Sequence, residues 1–192
     1  MNESTEETIR IVGISGSLRK ASFSTALLRI LAEGTAPSIE IDVVTLEDIP
    51  LYNEDLDREP ALPAVAKLKR TIAGADGALI VTPEYNHGIP GVLKNALDWL
   101  SRPVFESCFK GKPVSIISSS LAFTGGVRAQ YQLRETLISM QAHLVMGPEV
   151  VVGGVHRNLA DDAYTDENGL AFMLGSVGRL RAEVLARRLM PV

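Results

Sequence analysis

A polar turn with an aromatic residue, at residues 83–86, lies between a hydrophobic run and a helical pattern. Open α/β sheets bind their ligands at turns of this kind, between a buried strand and a helix. Backbone N–H and C=O groups in the turn can pair with the edge of a flat heterocycle, and Tyr85 can stack on it or border it. The alternative is that Glu84 and Asn86 only form the turn. His87 by itself is more typical of an exposed loop histidine than of a catalytic base.

A hydroxyl-rich turn follows the first hydrophobic run, residues 9–14, and leads into another helical pattern. Free backbone N–H groups and the helix dipole favour an anion at such a place, and Arg19 can add a charge-assisted contact to phosphate. Neither G-x-G-x-x-G nor G-x-x-x-x-G-K-[ST] is present, so a phosphate monoester is the predicted ligand. The alternative is a serine-rich turn that only caps the helix. The hydroxyl residues are Ser17, Ser22, Ser24 and Thr25.

A third candidate loop contains the pair Gly125 and Gly126, after three serines at 118–120 that end a later hydrophobic run. The carboxyl ends of parallel strands meet at one edge of a sheet, so this loop is predicted to lie beside the other two. Three ligand-like loops at three strand ends favour a binding site more strongly than any one of them.

Hydrophobic runs alternate with amphipathic helical patterns along the chain and supply the scaffold for these loops. The alternation predicts one α/β domain over residues 1–192, a three-layer sandwich with a five-stranded parallel sheet in the order 2-1-3-4-5. Residues 1–7 are predicted to be disordered. Strands are predicted at residues 9–14, 39–46, 77–82, 113–118 and 143–152, and helices at 25–33, 61–73, 90–101, 127–141 and 170–190.

Composition narrows the class of protein. The formal net charge of −4 argues against binding to nucleic acid, which needs a basic face. A single cysteine, Cys108, excludes an intramolecular disulfide and a cysteine-based metal cluster, and no metal is predicted. No apolar run approaches the ~20 residues of a membrane span, and the polar, acidic N-terminus is unlike a signal peptide. We therefore expect a cytoplasmic enzyme or carrier.

These stretches resemble the NADPH-dependent FMN reductase family, and within it the chromate and quinone reductase branch, which has the flavodoxin-like fold. The resemblance rests on G-S-L-R-K-A-S-F-S, on P-E-Y-N-H-G-I-P-G-V-L-K-N-A-L-D-W-L-S-R and on G-G-V-R-A-Q-Y-Q-L-R. Two departures are that Ser24 stands where relatives often carry Asn, and Gly88 where Ser is frequent. The resemblance implies that Ser17, Arg19, Ser22 and Ser24 hold the FMN phosphate, that Pro83, Glu84, Tyr85 and Asn86 line the isoalloxazine ring, and that Ser120, Gly125 and Gly126 border the flavin.

The family resemblance also implies an activity. Hydride would pass from NADPH or NADH to flavin N5, and an acceptor such as a quinone, azo dye, chromate or free flavin would then occupy the same place. No side chain need act as acid or base, because the flavin carries the redox chemistry. The alternative is a flavodoxin-type electron carrier without NAD(P)H turnover of its own. A purely structural or interaction protein is a third reading.

The helix at residues 90–101 is predicted to form the interface of a homodimer or homotetramer. Trp99 falls off the apolar stripe that faces the sheet, and an exposed tryptophan often anchors an interface. The alternative is that Trp99 packs under a loop of its own subunit. Groups suited to a second, polar contact between dimers are Arg128, Tyr131 and Glu149.

Overall fold

The structure, a computed structural model, describes residues 8–160 and 163–189. The predicted disordered stretch at residues 1–7 lies outside the described residues. The strands are β1 (Ile9–Ser15), β2 (Ile39–Val44), β3 (Gly77–Pro83), β4 (Pro113–Ser120), β5 (His143–Leu144), β6 (Val150–Gly153), β7 (Leu159–Ala160) and β8 (Ala163–Tyr164). The helices are α1 (Phe23–Thr35), α2 (Pro63–Gly74), α3 (Gly91–Leu100), α4 (Val127–Ser139) and α5 (Glu167–Arg188).

The main sheet is parallel and has the order β2-β1-β3-β4-β5, with β6 also paired to β4. This confirms the predicted strand order and the α/β class. β1 is an interior strand, pairing through Ile9 with Ile39 of β2 and through Ile11 with Gly77 of β3. A small antiparallel pair, β7 and β8, lies outside this sheet.

Two hydrophobic cores lie on opposite faces of the sheet, because successive strand residues point to opposite sides. Ile80 of β3 packs with α2, α3 and α4, whereas its neighbour Leu79 packs with α1 and α5. The three layers predicted from the sequence are therefore present. None of the helices within the described ranges is both long and apolar enough to cross a membrane.

The predicted fifth strand is divided. β5 and β6 both pair with β4, but five residues separate them along the chain. Gly147 and Pro148 lie in this interruption, and proline has no N–H to donate to a ladder. A single strand over residues 143–152 was therefore the wrong prediction.

The prediction that Trp99 is exposed is also wrong. Its side chain is only 1% exposed, and its Nε1–H donates to the carbonyl oxygen of Pro50 over 2.9 Å. The Tyr52 ring packs edge-on against it with a centroid separation of 4.9 Å. Trp99 thus packs under a loop of its own subunit, because the segment after β2 folds back over α3 and covers the face that the helical stripe left free.

Candidate functional site

The carboxyl ends of β1, β3 and β4 meet at one edge of the sheet. Ser15 is in register with Val81, and Pro83 with Ser119. Gly16 lets the first turn approach β3, since a Cβ there would lie 2.6 Å from the Thr82 hydroxyl oxygen. The three predicted loops therefore surround one space.

This space is a cavity of about 470 Å³. Its lining contains most of the residues proposed from the sequence and includes both the serine-rich turn and the turn after β3. The predicted residues that line it are Ser17, Arg19, Ser22, Ser24, Pro83, Glu84, Tyr85 and Ser120. Asn86, Gly125 and Gly126 lie outside its lining.

The serines of the first turn are buried and have donor capacity left over. Ser22 caps α1 by accepting from the Thr25 N–H over 3.2 Å, and Ser17 accepts from the Arg19 N–H over 3.3 Å. A hydroxyl that accepts one bond can still donate its own hydrogen. Ser24 is 1% exposed, and its Oγ has no hydrogen-bond partner among the described residues. Capping alone therefore accounts for Ser22 but leaves Ser24 unexplained.

Arg19 is held over an aromatic ring. Its guanidinium carbon lies 4.7 Å from the centre of the Phe23 ring, within cation–π distance. No carboxylate among the described residues forms an ion pair with it. A positive charge without an acidic partner and a buried hydroxyl without a partner are what a bound phosphate would satisfy. The residues present thus fit the FMN phosphate.

The turn after β3 is a two-residue hairpin. Tyr85 and Gly88 exchange backbone hydrogen bonds of 2.9 and 3.1 Å. Asn86 and His87 both have positive φ, 50° and 66°, as in the tight turns that join antiparallel strands. Both residues are exposed at the tip, so the hairpin directs Tyr85, and not Asn86, along the cavity wall.

Glu84 uses its carboxylate on the protein itself. Oε2 accepts from the N–H groups of Arg128 and Ala129, over 2.9 and 3.2 Å. These are free donors in the first turn of α4, whose N-cap residue, Gly126, has no side chain to accept from them. Glu84 therefore caps α4, and it also lines the cavity.

The glycine loop is shaped by its backbone. Gly125 and Gly126 have φ of 62° and 84°, in the left-handed region that disfavours other residues. The Ser118 hydroxyl donates to the Gly125 carbonyl over 2.8 Å and accepts from the Gln130 amide over 3.1 Å. The glycines support the segment before them, which supplies part of the cavity wall.

Some residues of the wall were not predicted. Leu121 and Ala122 lie between the serines at 118–120 and the pair Gly125 and Gly126, which the sequence analysis did single out. Their position between these motifs could have indicated that they line the cavity. Val155 comes from a short 3-10 turn after β6, and its sequence neighbourhood carries no such signal. The unpredicted lining residues are Phe23, Ser119, Leu121, Ala122 and Val155.

Three ionisable side chains with shifted pKa values lie on segments that precede β3 and β4, at the opposite edge of the sheet. Burial raises the pKa of Cys108 to about 11 and lowers the pKa of Lys112. Burial opposes ionisation of Asp76, but hydrogen bonds from the Arg10 N–H and the Arg188 guanidinium outweigh it and lower its pKa. Among the described residues, no three His, Cys, Asp or Glu side chains are grouped so as to hold a metal ion.

Comparison with known proteins decides the family. The sequence profile described as NADPH-dependent FMN reductase matches residues 9–157. The chain belongs to the NADPH-dependent FMN reductase family. Family membership identifies FMN as the cofactor and NAD(P)H as the co-substrate, and it confirms the resemblance inferred from the motifs. The protein is therefore an oxidoreductase.

Individual relatives agree with this assignment. The chain is 43% identical to an NAD(P)H-dependent FMN reductase of Pseudomonas aeruginosa, over 79% of this chain and 81% of that one. It is 44% identical to a quinone reductase of Escherichia coli, over 81% of this chain and 82% of that one. The solved structure of FerB, a flavoenzyme NAD(P)H:(acceptor) oxidoreductase from Paracoccus denitrificans, superposes with a TM-score of 0.85 at 32% identity, over 93% and 98% of the two chains.

Proposed function

We propose that this FMN reductase passes electrons from NAD(P)H to quinones, through FMN held in the cavity between the three loops. The observation that carries the proposal is the cavity itself, which is lined both by buried serines and Arg19 of the first turn and by Pro83, Glu84 and Tyr85 of the turn after β3. When bound, FMN supplies the redox chemistry by taking hydride from NAD(P)H and giving electrons to the acceptor. The protein has to bind, orient and shield the reacting groups.

The phosphate end would be formed by the first turn and the N-terminus of α1. Ser17, Ser22 and Ser24 would each donate a hydroxyl hydrogen, and Arg19 would add a charge-assisted contact. The helix dipole favours the phosphate at the same place. Binding would also give the buried Ser24 hydroxyl the partner that it lacks among the residues that the structure describes.

The ring end would be formed by two facing walls. Pro83, Glu84 and Tyr85 supply one wall, and Ser120 borders the other together with Leu121 and Ala122. Asn86, Gly125 and Gly126 would act by shaping the hairpin and the glycine loop.

The acceptor is proposed to be a quinone in preference to chromate, an azo dye or free flavin. Tyr85 and Leu121 flank the cavity and are 52% and 61% exposed, so a flat organic ring entering there would meet apolar surface, which disfavours the small anion chromate. Azo dyes and flavins are also flat, and the choice of a quinone among these acceptors rests on the relatives. A quinone reductase is also among the relatives with more than 40% identity.

We propose that the protein is a homodimer or a pair of dimers in the cytoplasm. The exposed Val104 and Phe105, which follow α3, support an apolar contact next to that helix. Tyr131 remains available for a second contact, whereas Arg128 and Glu149 lie near carboxylate and guanidinium groups of their own chain. Free Cys108 is in keeping with a reducing compartment. Light scattering tests the assembly, and a monomer would contradict it.

Steady-state kinetics test the activity. A reductase oxidises NADPH continuously when a quinone is supplied, whereas a flavodoxin-type carrier does not. If both substrates use one cavity in turn, initial rates at varied NADPH and quinone give parallel double-reciprocal lines. Intersecting lines would contradict the single shared site, and absence of turnover would contradict the function.

A further inference from the structure

Three hydrogen bonds, made by two accepting side chains, tie the ends of the Tyr85 hairpin to α4. Before the hairpin, Glu84 accepts from the N–H groups of Arg128 and Ala129. After it, the N–H of Ile89 donates to Gln132 Oε1 over 2.7 Å. The two accepting groups lie on opposite sides of the contact, one on the turn and one on the helix. The hairpin is therefore fastened to one helix at both of its ends.

The fit at the second tie is close. A Cβ on Gly88 would lie 2.5 Å from Gln132 Oε1, so a larger residue here would displace the end of the Gln132 side chain from the hairpin backbone. The rest of the hairpin has little support, because Tyr85, Asn86 and His87 are exposed. A two-residue hairpin held by its own two backbone bonds is marginal in water. Its position relative to the cavity therefore depends on the two ties.

The negative charge of the Glu84 carboxylate lies in a favourable environment at the N-terminus of α4. Its side chain is 9% exposed, and the positive end of the α4 dipole lies next to it. Arg128 Nη1 lies 3.9 Å from the second carboxylate oxygen, Oε1. Its negative charge is thus balanced by the helix and by Arg128. A Cβ on Gly126 would approach Glu84 Cβ to 3.4 Å, so the glycine loop also packs against this residue.

We propose that Glu84 and Gln132 are positioning residues that clamp the Tyr85 hairpin to α4 and so hold one wall of the flavin site in register with the glycine loop. The inference rests on the proposed function, because it assigns the hairpin to the flavin ring. The hairpin, the glycine loop and the N-terminus of α4 then behave as one rigid unit. Loosening either tie lets the ring wall move while the phosphate end stays intact.

The test compares four variants with a matched control. Glu84→Ala and Gln132→Leu remove the acceptors, whereas Glu84→Gln and Gln132→Glu keep an acceptor oxygen in the same place. Asp166→Ala is the control, because Asp166 caps α5 by accepting from the Gly169 N–H over 3.1 Å and does not line the cavity. The measurements are FMN affinity of the apo-protein, kcat and KM for a quinone, and thermal unfolding.

Removing an acceptor should raise the FMN Kd about tenfold or more for Glu84→Ala and about threefold or more for Gln132→Leu. The KM for the quinone should rise with it, and the conservative variants should recover most of the affinity. Asp166→Ala should lower the unfolding temperature but leave the FMN Kd unchanged. Equal FMN affinity in all five variants, or losses no greater than those of Asp166→Ala, would overturn the proposal.

Amide hydrogen exchange of the apo-protein separates this inference from the proposed function. Glu84→Ala should speed exchange at Arg128 and Ala129, and Gln132→Leu should speed it at Ile89. Unchanged exchange at these amides would overturn the clamp. A wild-type protein that does not bind FMN would instead defeat the proposed function. If Glu84→Ala does not fold, Gln132→Leu tests the clamp by itself. Gln132 lies at an exposed position of α4, so its replacement should leave the fold intact.

Discussion

The guanidinium carbon of Arg19, in the loop before α1, lies 4.7 Å from the centre of the ring of Phe23, the first residue of α1. This contact holds a positive charge at the mouth of the cavity before any ligand arrives. A preorganised donor loses less conformational freedom when it binds. The pair would therefore prepare the proposed phosphate end of the site.

Replacing Arg19 with alanine should weaken FMN binding. Loss of one charge-assisted hydrogen bond costs about 1.5–3 kcal/mol, or roughly a ten- to hundredfold rise in Kd. Fluorescence titration of the apo-protein with FMN measures it. Phe23→Leu, which keeps the charge but removes the ring beneath it, should have a smaller effect. An unchanged Kd in Arg19→Ala would remove this residue from the phosphate site.

Ser24→Ala should have opposite effects on the apo-protein and on ligand binding. The hydroxyl is buried without a partner among the described residues, so its removal should leave the apo-protein as stable or up to ~1–3 kcal/mol more stable. FMN affinity should nevertheless fall. Ser22→Ala provides the contrast, because loss of the α1 cap costs about 1 kcal/mol in the apo-protein. Chemical denaturation with and without FMN measures both, and a destabilised apo Ser24→Ala would contradict the assignment.

Gly125→Ala should destabilise the protein. The residue has φ of 62°, and a Cβ there would lie 2.8 Å from the Val151 carbonyl carbon, so both backbone strain and contact oppose the change. We expect a loss of about 1–3 kcal/mol from the backbone conformation alone. Gly178→Ala is the matched control, since nothing lies within 4 Å of its Cβ position in α5 and it should stabilise by roughly 0.5–1 kcal/mol. Urea unfolding distinguishes them, and equal midpoints would refute the prediction.

Cys108 should react slowly with thiol reagents at neutral pH. Burial raises its pKa from 9.0 to about 11, against the smaller effects of Lys69 and Lys112, so the reactive thiolate is scarce. Between these two pH values the folded protein keeps the Cys108 thiol proton, whereas the unfolded chain loses it. The contribution of this thiol to the free energy of unfolding is thus fully present below pH 9.0 and is lost as the pH rises through about 11. Alkylation rates against pH measure the shift, and Cys108→Ala should show no such loss of stability. A rate profile with its midpoint near pH 9.0 would contradict it.

Much of this fold follows from sequence pattern alone. The apolar runs before Ser15, Pro83 and Ser119 marked strand ends, and parallel pairing brings strand ends to one edge. The fifth strand is interrupted at Gly147 and Pro148. Both residues disfavour a continuous strand and are visible in the sequence, but the prediction of one strand did not take them into account. The burial of Trp99 could not be read from α3, because the covering segment around Pro50 lies far away in sequence.

In the candidate site, too, local sequence predicted some features, and contacts between distant segments determined the others. The hydroxyls and Arg19 were predicted because their residue types match phosphate chemistry. The use of the Glu84 carboxylate was not predicted, since the Arg128 and Ala129 N–H groups that it binds are more than 40 residues away. Val155 reaches the cavity from a short turn after β6, and no local pattern would predict that position.

Electron transfer from NADPH through bound FMN to a quinone can be followed in the visible absorption spectrum of the purified protein, recorded anaerobically before and after NADPH and then after a quinone. We expect a flavin spectrum with FMN bound, bleaching on addition of NADPH, and recovery when the quinone is added. A colourless protein that does not take up added FMN, or a bound flavin that NADPH does not bleach, would contradict it.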